Sequence, residues 1–354
     1  MNTSYKAIGL MSGTSLDGLD IAYCSFINEE NKWSFKIEKA NCIPYTPEWI
    51  QKLSNADQLS TIEYLNLHNE YGYFLGKECK EFIEKHNIKV DFIASHGHTV
   101  FHQPFKHITA QIGSGECIAA ASGQNVISDF RAMDIALGGQ GAPLVPIGDS
   151  LLFVDYDYCI NMGGFANLSY QLKNDRIAYD ICPVNIMLNS FAQEIGFAYD
   201  DKGNLAEKGK IQQSLLDELE NISYYQLSHP KSLGKEYLMK EFLPIISKYK
   251  MSPFDKLKTF SEHIVSQLLK ATACPKKSKL LFTGGGVYND YIMRQLKLKS
   301  NHSIVIPEKT IIDYKEALIF AFLGVLRWRG EINCLKSVTG ASRNNIGGKI
   351  ILAN

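Results

Sequence analysis

Three glycine turns, each following directly on a short apolar run, constrain this chain more than any other feature. They are Met11-Ser12-Gly13-Thr14-Ser15, Asn161-Met162-Gly163-Gly164 and Thr283-Gly284-Gly285-Gly286. Glycine lets backbone amides approach an anion with no Cβ in the way, and neighbouring Ser and Thr hydroxyls add donors. Two such turns, one per half, suit a polyphosphate clamp, and the third suits a flat base or an α-phosphate. Taken singly, each is equally a tight hairpin or a strand-to-helix turn. Their shared context is what points to a nucleotide. Neither Gly-x-x-x-x-Gly-Lys-Ser/Thr nor Gly-x-Gly-x-x-Gly occurs, so this is neither a P-loop nor a Rossmann fingerprint.

The runs around the turns read as α/β. Residues 5–26 form two strands about the first turn. Ser60 and Glu63 form a capping box that opens a helix of about seven turns ending near His86. Residues 90–95 read as a buried strand, followed by a polar loop rich in histidine. Near Asp155 the grammar starts again: a strand at 158–161, the Gly163-Gly164 turn, a strand at 166–172 and a third at 176–181. This weak repeat, offset by half the chain, fits either a duplication or chance. Phe260, Ile264 and Leu268 form a helical stripe that Pro275 stops. Residues 275–279 read as a solvated loop. A strand at 279–282 then runs into the third turn, and residues 313–328 read as an apolar helix.

At 354 residues the chain is expected to hold two domains of about 150 residues each, divided as 1–150 and 151–354. No Pro/Gly/Ser-rich linker separates them, so a broad interface with a cleft is expected. Lys plus Arg (37) balances Asp plus Glu (37), which argues against nucleic-acid or anionic-membrane partners. With 45% hydrophobic and 21% charged residues, the composition argues against disorder. The longest nearly uncharged apolar run, residues 317–328, falls short of the about 20 residues a membrane span needs. The first ten residues lack the apolar stretch of a secretory signal. Eight dispersed cysteines with no Cys-x-x-Cys exclude a zinc cluster of the usual spacing and a disulfide scaffold. Reduced thiols and a cytoplasmic location are expected.

Carboxylates gather at the turns. Asp17 and Asp20 follow the first, and Asp180 ends the third strand of the second half. Such a group can hold Mg²⁺ through water or accept a proton from an attacking hydroxyl; the commoner alternative is an exposed turn residue. Asp180 stands out because it lies between apolar residues and Cys182-Pro183. Arg131, between Asp129 and Asp134 and ahead of Gly138-Gly139-Gln140-Gly141-Ala142-Pro143, suits either a substrate carboxylate or an Arg–Asp bridge. His96, His98 and His102 lack metal-ligand spacing and read as substrate-loop groups or surface histidines. Cys182 has no indicated base for nucleophilic work.

These segments together resemble the anhydro-N-acetylmuramic acid kinase family over essentially the whole chain. The opening Ile8-Gly9-Leu10-Met11-Ser12-Gly13-Thr14-Ser15-Leu16-Asp17-Gly18-Leu19-Asp20 is similar to that family's signature. The resemblance continues through Ser95-His96-Gly97-His98-Thr99-Val100, Asp129-Phe130-Arg131, the glycine-rich stretch ending Leu144-Val145-Pro146, Asn161-Met162-Gly163-Gly164-Phe165-Ala166-Asn167, Thr283-Gly284-Gly285-Gly286 and Ser337-Val338-Thr339-Gly340-Ala341. It implies two domains with duplicated ribonuclease-H-like cores of the actin/hexokinase type around a nucleotide cleft. It also implies ATP-dependent conversion of 1,6-anhydro-N-acetylmuramic acid to N-acetylmuramic acid 6-phosphate, in bacterial recycling of cell-wall sugars.

The same resemblance gives residue roles. Gly13, Thr14, Ser15, Leu16, Asp17, Gly18, Leu19 and Asp20 would face the ATP phosphates, which carry Mg²⁺. Gly163, Gly164 and Asn167 would join the nucleotide set, and Gly284, Gly285 and Gly286 would lie toward adenosine. Asp180 matches the catalytic aspartate. Arg131 and Glu316 match substrate positions, with Asp134 and His98 completing that set. The partners implied are the sugar and ATP, and a homodimer is compatible with them. One departure concerns Asp180-Ile181-Cys182-Pro183-Val184-Asn185, where the family commonly shows Asp-x-Gly-Pro-Gly-Asn. Either the backbone there needs no positive φ, or the pocket is reshaped. His98 stands where many members have glutamine. A kinase of the same fold for another sugar, and a nucleotide-binding sensor without turnover, are the rival readings.

Overall fold

Strand-forming sequence comes in two blocks, and each block builds its own sheet. The computed structural model describes residues 3–13 and 16–353. It divides into one unit of Met1–Leu152 with Tyr314–Asn354 and a second of Phe153–Asp313.

In the first unit β1 (Thr3–Ser12), β2 (Gly18–Glu29) and β3 (Lys32–Pro44) form an antiparallel meander. On the other side of β1 lies β4 (Phe92–Ser95), in parallel register. The hairpin β5 (His98–Gln103) and β6 (Ile108–Ile112) stands apart from this sheet. Next come β7 (Val126–Ser128), parallel to β4, and, further along the chain, an antiparallel edge strand, Lys349–Ile351. In the second unit β8 (Tyr158–Met162), β9 (Phe165–Leu172) and β10 (Asp175–Pro183) form another meander. Strands β11 (Lys279–Thr283) and β12 (Ser303–Val305) extend it in parallel, and the Lys349–Ile351 strand is β13.

The orders β13-β7-β4-β1-β2-β3 and β10-β9-β8-β11-β12 share one plan. Counted within each sheet and leaving the edge strand β13 aside, the strands run third-second-first-fourth-fifth, and among these five only the second is antiparallel to its neighbours. That is the ribonuclease-H-like order, present twice, so the weak sequence repeat is a duplication of topology. Parallel neighbours cannot be joined by a hairpin and need crossovers. The helices Thr61–His86 and Gly115–Ser122 make them in the first unit, and Pro253–Ala271 and Asp290–Lys299 in the second.

Helix Thr61–His86 begins as the sequence specifies: Ser60 accepts from the Glu63 amide, and the Glu63 carboxylate accepts from the Ser60 amide. Its buried Leu67, Tyr71, Leu75, Cys79 and Phe82 recur every three to four residues, so one stripe meets the core formed with Ile8, Leu10 and Ile93. Helix Pro253–Ala271 buries Phe260, Ile264 and Leu268 against Ile160, Leu168 and Phe282. Helix Lys309–Trp328 starts four residues before the expected 313.

Two differences from the sequence reading have local causes. The expected 151–354 half gives its tail to the first unit, because β13 pairs with β7 and the long C-terminal helix packs on β1 and β4 from Tyr314 onward. Strand β3 has no counterpart in the reading, although Trp33, Phe35 and Ile37 alternate with Ser34, Lys36 and Glu38. No helix among the described residues is long and apolar enough to cross a membrane.

The contact between β1 and that helix depends on one missing side chain. A Cβ at Gly9 would lie 1.8 Å from the Ala317 carbonyl oxygen and 2.9 Å from the Ala321 amide, both backbone atoms that cannot rotate away. Gly9→Ala is therefore expected to destabilise the protein by about 2 kcal/mol or more, read as a lower urea midpoint. A midpoint equal to the parent's would show that the helix is not held this close.

Candidate active site

Parallel pairing brings the ends of β1 and β4 side by side: Leu10 stands opposite Ser95, and the His96 amide donates to the Leu10 carbonyl at 3.1 Å. The first glycine turn leaves β1 at this point. Thr14 and Ser15, expected at the phosphates, lie outside the described residues. Leu16 takes a left-handed φ of 57°, and its amide donates to Gly13 at 3.4 Å. Asp17 is exposed and Asp20 half-buried, while Gly18 and Leu19 are buried. The Leu19 side chain belongs to the core, and its main chain stands between Ser12 of β1 and Ile43 of β3.

Behind this turn runs a buried hydrogen-bond chain. Tyr45 Oη donates to Ser12 Oγ at 2.7 Å, which leaves Tyr71 Oη as the donor in the 2.5 Å contact with Tyr45. His98 Nδ1 lies 3.0 Å from the same Ser12 hydroxyl. His98 is 4% exposed, and burial pushes its pKa down to about 4. It is neutral at physiological pH and acts through hydrogen bonding. The surface alternative fails for His96 and His98, both buried, and holds for His102, which is exposed beside Thr109.

His96 instead holds Arg131. The Arg131 Nε and Nη2 lie 3.2 and 2.9 Å from His96 Nε2, and Nη1 donates to the Gly141 carbonyl at 2.6 Å. A guanidinium only donates, so His96 Nε2 is an acceptor, and Nδ1 carries the proton toward Gly97 O at 2.9 Å. Burial, then the guanidinium, keep His96 well below its ordinary pKa. Burial also lowers Arg131 to about 10, which leaves it a cation. The Glu316 carboxyl is raised by burial, opposed by Arg131 and Lys315. Next to it Lys315 pairs with Asp149 at 2.7 Å, both nearly buried.

The Arg–Asp bridge is not made. Asp129 pairs with Lys349 at 2.7 Å. Asp134, expected among the substrate contacts, is fully buried, and its carboxylate accepts four hydrogen bonds from within the protein. Oδ2 accepts from the Gly141 amide at 2.8 Å, while Oδ1 accepts from Thr339 Oγ1 and Asn345 Nδ2 at 2.8 Å and Cys334 Sγ at 3.0 Å. It clasps the 138–143 loop to the C-terminal segment, and through Gly141 supports Arg131.

In the second unit the register assembles a polar row. Asn161 on β8 stands opposite Asn167 on β9, which stands opposite Asp180 on β10. Directly paired residues share a sheet face, and all three are partly exposed while Ile160, Met162, Ala166, Leu168 and Ile181 point into the core. Thr283 at the end of β11 lies beside Asn161. Gly284 follows with φ 82°, and a Cβ there would strike Asn161 Oδ1 at 2.4 Å, so only glycine fits. Gly163, Gly164 and Gly285 differ. None is left-handed, and a Cβ would meet nothing nearer than 3.7 Å. Neither conformation nor packing requires glycine there; what glycine preserves is an open main-chain face. One part of the phosphate expectation changes. The Gly163 amide donates to Phe165 O at 3.1 Å, and the Gly163 and Gly164 carbonyls accept from the amides of residues 184–186, which start helix Asn185–Gln193.

Asp180 is half-buried, just before a bulge that separates it from Cys182. Burial raises its pKa, and the Leu233 amide, donating to Oδ2 at 2.8 Å, opposes the rise. Cys182 and Val184 are fully buried, and neither has positive φ. The replaced glycines therefore leave no left-handed demand here, and both side chains fill the core. Burial pushes the Cys182 thiol up, which removes it as a nucleophile. Tyr45 and Leu233 touch these candidate residues without having been singled out in the sequence, and Ser12 and Asn161 had been read only as members of the glycine turns. The symmetric Asn161-x-Gly163-Gly164-x-x-Asn167 hairpin is a signal that could have found Asn161. The others meet across tens of residues.

The His98 pKa carries a stability prediction. At about 4, the folded value lies below the ordinary 6.5, so the unfolded chain takes up a proton that the folded chain refuses. Stability from this group is full above 6.5 and lost as pH falls toward 4. His98→Gln is expected to lose about 2 kcal/mol less than the parent between about pH 7.5 and about pH 5, by urea unfolding at both values. Equal losses would mean that His98 is not held neutral.

The family described as anhydro-N-acetylmuramic acid kinase matches residues 5–353. Relatives so named include those of Francisella tularensis subsp. novicida (32% identical over 98% of this chain and 99% of that protein) and Shewanella sediminis (33%, with both chains covered in full). That of Haemophilus influenzae is 33% identical over 94% of each. Among solved structures, a xylulose kinase from Lactobacillus acidophilus covers 90% of this chain and 89% of its own at 11% identity and a TM-score of 0.42. A likeness that loose decides nothing, and the fold rests on the strand order. With nearly every residue matched and relatives aligned end to end, the chain belongs to the anhydro-N-acetylmuramic acid kinase family.

Proposed function

We propose that this protein is an ATP-dependent kinase that converts 1,6-anhydro-N-acetylmuramic acid to N-acetylmuramic acid 6-phosphate. Ring hydrolysis and O6 phosphorylation are joined in one reaction, within peptidoglycan recycling and amino-sugar catabolism in the cytoplasm. The observation that carries the mechanism is Asp180: a carboxylate beside a bulge in β10, half-buried, raised in pKa, and anchored through one oxygen. A base of raised pKa keeps a stronger hold on an incoming proton.

Asp180 takes a proton from water as the water oxygen bonds to the anomeric carbon. The bond from that carbon to O6 breaks, and O6 attacks the γ-phosphorus of ATP. The bridging P–O bond breaks and ADP leaves; the proton on Asp180 passes to solvent before the next cycle begins. Arg131, a cation fixed by His96 and Gly141, serves the acidic sugar. Glu316 serves the sugar hydroxyls. The turn from Gly13 to Asp20 offers main-chain amides to the phosphates, and the open Gly285 face serves adenosine.

Among the described residues no group of three His, Cys, Asp or Glu side chains could hold a metal ion. A Mg²⁺ ion whose shell is mostly phosphate and water needs no such cage. Asp17 and Asp20 are the carboxylates that would hold it, and its chemistry is to neutralise charge on the transferring group.

The test is ADP release with Mg-ATP and, in turn, the anhydro sugar, N-acetylmuramic acid and N-acetylglucosamine. Release is expected with the anhydro sugar and to fall by about 10³-fold or more in Asp180→Asn, with ATP affinity kept. Turnover of none of these sugars, with ATP still bound, would rule the assignment out.

A further inference from the structure

We infer that residues 224–233 form a strap that positions Asp180, with the Leu233 main-chain amide fixing Oδ2 so that Oδ1 is the atom that takes the proton. This rests on the reading of Asp180 as the base.

Strand β10 is an edge of its sheet, and an edge leaves main-chain groups that need partners. At Asp180 the strap supplies them. The Asp180 amide donates to the Lys231 carbonyl at 3.2 Å. The Asp180 carbonyl accepts from Tyr224 Oη at 2.5 Å. The carboxylate oxygen Oδ2 accepts from the Leu233 amide at 2.8 Å. Three groups of one residue are thus held by one segment.

The strap is braced on itself and on the core. Lys231 Nζ donates to the Tyr224 carbonyl at 3.2 Å, and the ammonium lies 4.6 Å from the Tyr224 ring centre and 5.5 Å from that of Tyr179. Tyr224 is 1% exposed and Leu233 8%. A carboxylate that accepts an amide proton on one oxygen has its rotation restrained, and the other oxygen, with both lone pairs free, is left as the more basic one. The same bond favours the ionised form, against the effect of burial. The ionisable groups that the strand and strap carry around Asp180 are Asp175, Arg176, Tyr179 and Cys182 on the strand and Tyr224, Tyr225, His229 and Lys231 on the strap. Burial holds the phenols and the thiol in their neutral forms, and Lys231 sits over the aromatic rings.

Tyr224 and Leu233 are accordingly positioning residues, acting through Asp180. The test is the pH dependence of kcat/KM for the anhydro sugar in L233P, which lacks the amide proton, and L233A, which keeps it. In L233P the acid limb is expected to move up by about one pH unit, because the base loses the bond that favours its charge. In L233A the limb stays at the parent's pH, which a role in packing alone would not produce. Y224F is the second probe, and decides alone if L233P does not fold. Its kcat is expected to fall about tenfold with KM for ATP and sugar unchanged. An unmoved limb in L233P, or a Y224F with the parent's kcat, would overturn the strap. If Asp180→Asn is itself as active as the parent, the base reading fails first; if it is inactive and the limb of L233P is unmoved, only the strap fails.

Discussion

Parallel pairing of the first and fourth strands in each unit is the constraint on which the rest depends. Parallel neighbours end on the same side, so the turns that follow them must meet there. In the first unit this sets Leu10 opposite Ser95, so the Gly13 turn and His96 leave on one side; in the second it sets Asn161 opposite Thr283, so the Gly163-Gly164 turn and Gly284 do the same. An antiparallel second strand then returns from each turn and carries a carboxylate or amide across the same line, Asp20 opposite Met11 and Asn167 opposite Asn161. The crossover helices that such pairing demands form the two cores, and Gly9 lets the C-terminal helix close down on β1.

Burial decides the charge state of almost every group at these strand ends. It holds His96 and His98 neutral, leaves Arg131 a cation, and raises both Asp180 and Glu316. Within the first unit, a fixed guanidinium facing a buried carboxyl is a different instrument from a basic surface. The zero net charge of the chain accords with this. An anionic ligand met by main-chain amides needs no global excess of lysine and arginine.

Much of this was legible in the order of residues, because its causes are local. The Ser60–Glu63 capping box, the stripe of Phe260, Ile264 and Leu268, and the glycine turns at strand ends all act over a few residues. That Asp180 lies on the third strand of its meander was readable for the same reason, but the strand does not end there: it continues through a bulge to Pro183. The role of Asp134 was not, since its four donors come from residues 141, 334, 339 and 345. Nor was the return of the chain's last segment to the first sheet, which no pattern within that segment announces. For the Cys182 and Val184 replacements the sequence left two readings open, a backbone with no need of positive φ or a reshaped pocket beside Asp180. The replacements are accommodated because the backbone there is not left-handed and the side chains have core to fill.

The central claim is that one chain joins ring hydrolysis to phosphoryl transfer, with water entering the sugar and not the phosphate. It is tested most directly by running the reaction in ¹⁸O-labelled water and sampling before the anomeric centre exchanges with solvent. The account predicts one labelled oxygen on the anomeric carbon for each ADP formed, with an unlabelled phosphate ester at O6. Label in inorganic phosphate, or ADP formed with an unlabelled sugar, would contradict it.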